Sequence, residues 1–186
     1  MLDLEHAQVN DSQHEDHSSA IDHLTSWVYG QAYSSHEQLR PVYHAITGEL
    51  IYQVSSHGID TQKIVQYAKQ KGRALAQLTF HERANALKNM AQYLMERKED
   101  YYQLAYATGV TRKDAWIDIE GGIGTLFAYS SLVRRELSDE KIWVEDAWLP
   151  LSKQGNFGAK HILTPKAGVA VHINAFNFPI WGMLEK

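Results

Sequence analysis

Apolar residues recur at three- and four-residue spacing through the middle of the chain, and the polar residues between them supply recognisable starts and stops. Asp60 is placed to cap a helix whose apolar positions Ile64, Val65, Ala68, Gly72 and Leu75 fall on one side. Thr79 and Glu82 form the Thr-x-x-Glu pattern in which each side chain satisfies a backbone amide of the other. Ala84, Leu87, Ala91, Leu94, Tyr101 and Ala105 then mark one stripe up to Gly109, a residue suited to ending a helix. This predicts one long amphipathic helix. Thr111 and Asp114 repeat the start signal, and Ala115, Ile119, Gly122, Leu126, Tyr129 and Val133 predict a third helix of comparable length.

Beyond Val133 the period changes. Between Leu137 and Pro165, the apolar residues Trp143, Val144, Trp148, Phe157 and Ile162 are interrupted by Pro150, Gly155 and Gly158, which predicts an extended, hairpin-like arm over about 137–165. The β-branched run from Gly168 to Phe176 predicts a buried strand turning at Asn177-Phe178-Pro179, with Pro179 suited to the first position of another helix. That helix would hold Ile180, Trp181, Met183 and Leu184, and the sequence reaches its last residue, Lys186, almost at once. Such an endpoint is expected of the opening part of a longer protein. The fold class expected is α/β, with three helices around the first strand of an incomplete parallel sheet and the extended arm beside them.

Residues 1–23 differ in composition from the rest. They carry six carboxylates, four histidines and few apolar side chains, so little could offset the entropy of ordering them, and they read as a flexible extension to a body of residues 24–186. His14, His17 and His23 could be read as metal ligands, but they show no recognised ligand spacing, and no metal is expected. With 44% hydrophobic and 22% charged residues and a formal charge of -4, the chain offers no basic footprint for nucleic acid or an anionic membrane. No segment has the apolar length of a membrane span, and the acidic start is unlike a secretory leader, so the chain reads as cytoplasmic. Cysteine is absent, which excludes disulfides, thiolate metal sites and a cysteine nucleophile within these 186 residues.

Two further features attract functional readings that the pattern does not favour. Gly121-Gly122-Ile123-Gly124 sits inside a helical stripe rather than after a strand, so it reads as close helix packing and not as a dinucleotide-binding fingerprint. His172 carries an imidazole, a side chain suited to general-base chemistry, but alternation along the expected strand turns it away from Val169, Val171 and Ile173. It is expected to hydrogen-bond against an adjoining layer.

The run from Gly168 to Lys186, with a Gly-Val strand start, the Asn177-Phe178-Pro179 turn and a lysine nine residues beyond the asparagine, resembles a segment of the aldehyde dehydrogenase superfamily. Thr47-Gly48-Glu49, Glu82-Arg83-Ala84 with Leu87, and Thr108-Gly109 fall in the order of that superfamily's amino-terminal helices. Asp118-Ile119-Glu120-Gly121-Gly122-Ile123-Gly124-Thr125-Leu126-Phe127 and Val171 to Pro179 are similar to one branch, the dehydrogenase half of bifunctional bacterial enzymes of phenylacetate catabolism. Ala175-Phe176 stands where the wider superfamily has Pro-Trp.

The resemblance implies oxidation of an aldehyde, in that branch a CoA-linked semialdehyde, with NAD or NADP as hydride acceptor and a homo-oligomer joined partly through the extended arm. It also implies that the cysteine nucleophile and the water-activating carboxylate come later in the chain, so these residues alone should be inactive. Asn177 would donate its amide N–H to the alkoxide that forms when a thiolate adds to the aldehyde, although its position before Pro179 also suits a plain turn residue. Ile173, Asn174, Ala175 and Phe176 would lie along the nicotinamide nucleotide, or equally be core strand residues. Lys186 would stand near substrate and cofactor, or else be a solvated lysine. A non-enzymatic binding or assembly module that kept these helices is the alternative from a different functional class.

Overall fold

The structure, a computed structural model, describes residues 22–145 and 147–186. His14 and His17 lie outside the described residues, as does most of the acidic extension. Asp22 and His23, grouped with that extension by composition, pair in parallel with a strand of the body.

The described chain opens with short strands that the hydrophobic pattern did not reveal. Strands β1 (Asp22–His23), β5 (Leu50–Val54) and β4 (Arg40–Tyr43) form one small sheet in the order β1-β5-β4, and β2 (Ser26–Val28) pairs with β3 (Gln31–Tyr33) as a hairpin. Tyr29 and Gly30 both have positive φ, 54° and 75°, which is what a two-residue hairpin turn with the native twist requires. Gly48, with φ 75°, closes the turn between β4 and β5, where its amide donates to the His44 carbonyl at 2.9 Å. These strands are too short and too varied in character to show a clean two-residue alternation.

The helices begin where the side-chain caps place them. Asp60 accepts from the Gln62 and Lys63 amides at the start of α1 (Thr61–Ala76), and Thr79 with Glu82 makes the complete reciprocal box at the start of α2 (Phe80–Glu96). Of the apolar stripe expected on α1, however, Val65 and Leu75 are exposed and Ile64 is only half-buried.

The single long helix expected to run from Thr79 to Gly109 is two helices, α2 and α3 (Lys98–Ala107), broken at Arg97. The Arg97 amide donates to the Leu94 carbonyl, one residue short of the α-helical partner. The Tyr93 carbonyl it would otherwise reach accepts instead from the Arg97 guanidinium at 3.1 Å. That guanidinium also lies over the Tyr93 ring, 3.6 Å from its centroid. A local contact of one exposed side chain thus ends the helix with no proline or glycine to announce it. Gly109 does end α3, with φ 83°.

The third predicted helix spans 112–136 but is not uniform. It consists of α4 (Arg112–Trp116), a π turn at Ile117–Gly121 and α5 (Gly122–Glu136). A π turn spends more residues per turn than an α-helix, and the buried row after it runs through Ile123, Leu126 and Ser130, leaving Tyr129 exposed. Ala91 of α2, Tyr102 of α3, Ala115 of α4, Ile119 of the π turn, and Ile123 and Leu126 of α5 form the core.

The arm takes the extended form expected of it. Strand β6 (Trp143–Val144) pairs with β9 (Ile162–Leu163), and β7 (Leu149–Pro150) pairs with β8 (Gly158–Ala159), both antiparallel. Trp143, Trp148 and Phe157 all remain exposed. The buried strand expected over 168–176 does not form. The segment has no regular structure, and Val171, Ile173 and Phe176 are 80%, 88% and 96% exposed. A strand is stabilised by the ladder and by layers on both faces, and among the described residues neither a pairing strand nor a covering layer adjoins this run. His172 is exposed as well, not hydrogen-bonded against a neighbouring layer. No described helix is long and apolar enough to cross a membrane.

Candidate functional site

After the exposed run the chain turns at Asn177-Phe178 and enters α6 (Pro179–Leu184). This helix begins badly by local criteria. Its capping position is Phe178, which has no acceptor oxygen in its side chain, and Pro179 has no N–H to offer. The first free amides are those of Ile180 and Trp181, and both donate to one carboxylate 62 and 63 residues away: Ile180 to Oδ2 of Asp118 at 3.3 Å and Trp181 to Oδ1 at 2.8 Å. Asp118 is 7% exposed, so the cap comes from a buried anion on a different helix.

The π turn makes that arrangement possible. It carries Asp118 and Glu120, two residues apart and therefore on different sides of the helix. Asp118 faces α6. Glu120 faces α3, where it accepts from Lys98 Nζ at 3.0 Å and from the Tyr102 hydroxyl at 2.9 Å. The hydrogen bond from Lys98, aided by that from Tyr102, holds the Glu120 carboxyl below its ordinary value of 4.5 against the opposing effect of burial. Burial first, and then the hydrogen bond to Glu120, pushes the Tyr102 phenol up to about 12. The stability that Glu120 contributes is therefore present above its unfolded pKa and lost as pH falls through the lower folded value.

Gly121 and Gly122 seat α6 on the same turn. A methyl group added at Gly122 would lie 2.7 Å from the Trp181 Cα and 2.9 Å from its N, and one at Gly121 would lie 2.5 Å from the Trp181 ring. The glycine run is a packing surface, as its place in a helical stripe implied, and it is specific: nothing lies within 4 Å of the same position on Gly124. Ile180 and Leu184 complete the docking by packing against the core.

Between α6 and the helix pair α3–α4 lies a largely apolar cleft of about 330 Å³, walled by Tyr101, Leu104, Val110 and Ala115, with Asn177 and Phe178 on its other side. The structure brings Phe176 and Asn177 to this cleft. It leaves Ile173, Asn174, Ala175 and Lys186 off it, all four exposed. Asp118, the residue that ties the turn to the core, was not singled out from the sequence. Its signals were a carboxylate beside the buried Ile119 in an apolar stripe and, far along the chain, a helix start with no cap of its own. Three or more residues able to share a metal ion do not cluster among the described residues.

Two comparisons bear on this arrangement. The chain matches the aldehyde dehydrogenase family over residues 31–186. It is also 36% identical over 165 residues to a 3,4-dehydroadipyl-CoA semialdehyde dehydrogenase from Aromatoleum evansii, an alignment covering 88% of this chain and 32% of that protein. The chain thus spans about a third of the length of the curated relative it matches.

The contrast between Gly122 and Gly124, two residues apart and so on different sides of the helix, provides a test of the docking. Gly122→Ala must displace α6 backbone and is expected to destabilise the chain by roughly 1–3 kcal/mol, as overpacking does. Gly124→Ala meets open space and should be neutral, or stabilising by up to about 1 kcal/mol through helix propensity. Urea unfolding followed by tryptophan fluorescence measures both, and equal stabilities for the two variants would refute the close packing of α6 on Gly122.

Proposed function

The chain belongs to the aldehyde dehydrogenase family, and on that premise we propose that it forms the amino-terminal part of an enzyme that oxidises a CoA-linked semialdehyde with NAD or NADP. The observation that carries the reading is the Asn177-Phe178-Pro179 turn, held at the mouth of an apolar cleft by α6 and its buried cap. In this reading a thiolate adds to the aldehyde carbonyl, and the Asn177 side-chain amide donates to the alkoxide that results. A fixed donor of this kind gains most of its interaction as charge develops, so it lowers the barrier more than it tightens substrate binding. The relative's CoA-semialdehyde substrate motivates the choice of substrate class, and an apolar cleft suits the carbon chain of such a molecule.

No cysteine occurs in the 186 residues, so the nucleophile must come from outside them, and we propose that this chain alone is inactive. The residues proposed to lie along the cofactor, Ile173 to Phe176, fit that role in one respect. They form an exposed run, apolar except for Asn174, with no ladder pairing among the described residues, leading directly to Asn177, so both side-chain faces and backbone polar groups are open to a ligand. A nicotinamide dinucleotide bound there would supply the hydride acceptor. Lys186 is proposed to stand near the same ligands in the full-length enzyme. The exposed aromatics Trp143, Trp148 and Phe157 favour a homo-oligomer joined through the arm, which sedimentation of the full-length protein as a monomer at micromolar concentration would contradict.

The oxyanion role is tested by Asn177→Ala in the full-length enzyme. The expected result is a fall in kcat of roughly a hundredfold or more, with KM for the aldehyde and the melting temperature little changed. A plain turn residue would reverse that pattern, lowering stability while the folded fraction turns over normally, so kcat is measured per titrated nucleophilic thiol. Near-normal kcat in the variant, or aldehyde oxidation by the 186-residue chain, would overturn the reading.

A further inference from the structure

The turn that presents Asn177 has no anchorage of its own in the described structure. The run before it, to Phe176, is exposed and unpaired. The helix after it lacks a capping side chain, and its first two available amides are both taken by Asp118. Asn177 stands three residues before Ile180, so the position of the Asp118 carboxylate fixes the backbone frame from which the Asn177 side chain projects. Hydrogen-bond donation to a developing charge is sensitive to displacements well under an ångström. The frame is also held by the contact of Trp181 with Gly121 and Gly122 of the same π turn, and by the packing of Ile180 and Leu184 against the core, but among these contacts only the carboxylate binds the amides that begin the helix.

We propose that Asp118 is a positioning residue for the reaction: its buried carboxylate, by capping α6 across 62 residues of sequence, holds Asn177 where it meets the oxyanion. The inference rests on the reading of Asn177 as the oxyanion donor. Asp118 lines the wall of the cleft beneath the turn and acts through α6 without touching reacting atoms. An uncapped α6 would keep its apolar contacts through Ile180 and Leu184 with the core, so loss of the carboxylate should loosen the turn more than it unfolds the protein.

The test is a double-mutant cycle in the full-length enzyme, with kcat, KM and melting temperature measured for Asp118→Asn and Asp118→Ala, each alone and combined with Asn177→Ala. Asp118→Asn keeps one acceptor oxygen and Asp118→Ala keeps none, so kcat should fall in that order, by roughly threefold and by tenfold or more, with KM changed by less than about threefold. In the Asn177→Ala background neither substitution should lower kcat by more than about twofold, because the group being positioned is already gone. If the alanine variant yields no folded enzyme, the asparagine variant carries the same comparison. An undiminished effect of Asp118→Asn in the Asn177→Ala background would overturn the positioning role while leaving Asn177 as the donor, and so would unchanged kcat when Asp118 alone is replaced. Near-normal kcat in Asn177→Ala alone would instead remove the oxyanion reading, and the positioning role with it.

Discussion

The described structure turns on one buried carboxylate. Asp118 accepts the Ile180 and Trp181 amides at the start of a six-residue helix that has phenylalanine at its cap and proline at its first position. A helix so short is not stable by itself, and its amides would otherwise point unsatisfied toward a partly buried interface. Donation of both amides to the carboxylate of a buried residue next to Ile119 in sequence solves both problems. It couples the last helix to the core and sets where that helix begins, directly after the turn that carries Asn177.

That coupling depends on an irregularity. The π turn at Ile117–Gly121 separates the two acidic residues between neighbouring elements, Asp118 toward α6 and Glu120 toward Lys98 and Tyr102 of α3. It ends on two glycines small enough for the Trp181 backbone to rest against them. Helical irregularities of this kind often occur at functional sites because they re-aim side chains that a regular helix would place elsewhere. Here one turn orients a cap, a half-buried ion pair and a contact surface.

What the sequence made legible is whatever depends on neighbours close in the chain. The Asp60 cap, the Thr79–Glu82 box, the stop at Gly109 and the extended arm all follow from local spacing, and each takes the form expected. The break at Arg97, the π turn and the cap on α6 were not legible: the break is local but has no proline or glycine to mark it, the π turn lies inside a continuous apolar stripe, and the cap comes from a side chain 62 residues away. The β-branched run at 168–176 shows the opposite failure. Its composition suits a buried strand, but composition supplies neither pairing partner nor covering layer, and among the described residues it has neither. At the candidate site, Asn177 and Phe176 were identified from the sequence and are brought to one cleft, whereas Asp118 emerged only from the geometry.

The account stands or falls on whether Asp118 holds the start of α6 in solution. Amide hydrogen exchange of the 186-residue chain, resolved at Ile180 and Trp181, measures this directly. Hydrogen bonds to a charged group contribute about 1.5–3 kcal/mol, so these two amides should exchange roughly ten- to a hundredfold more slowly in the wild type than in Asp118→Ala, with the Ile119 and Ile123 amides protected in both. Equal exchange at Ile180 and Trp181 in the two proteins would contradict it.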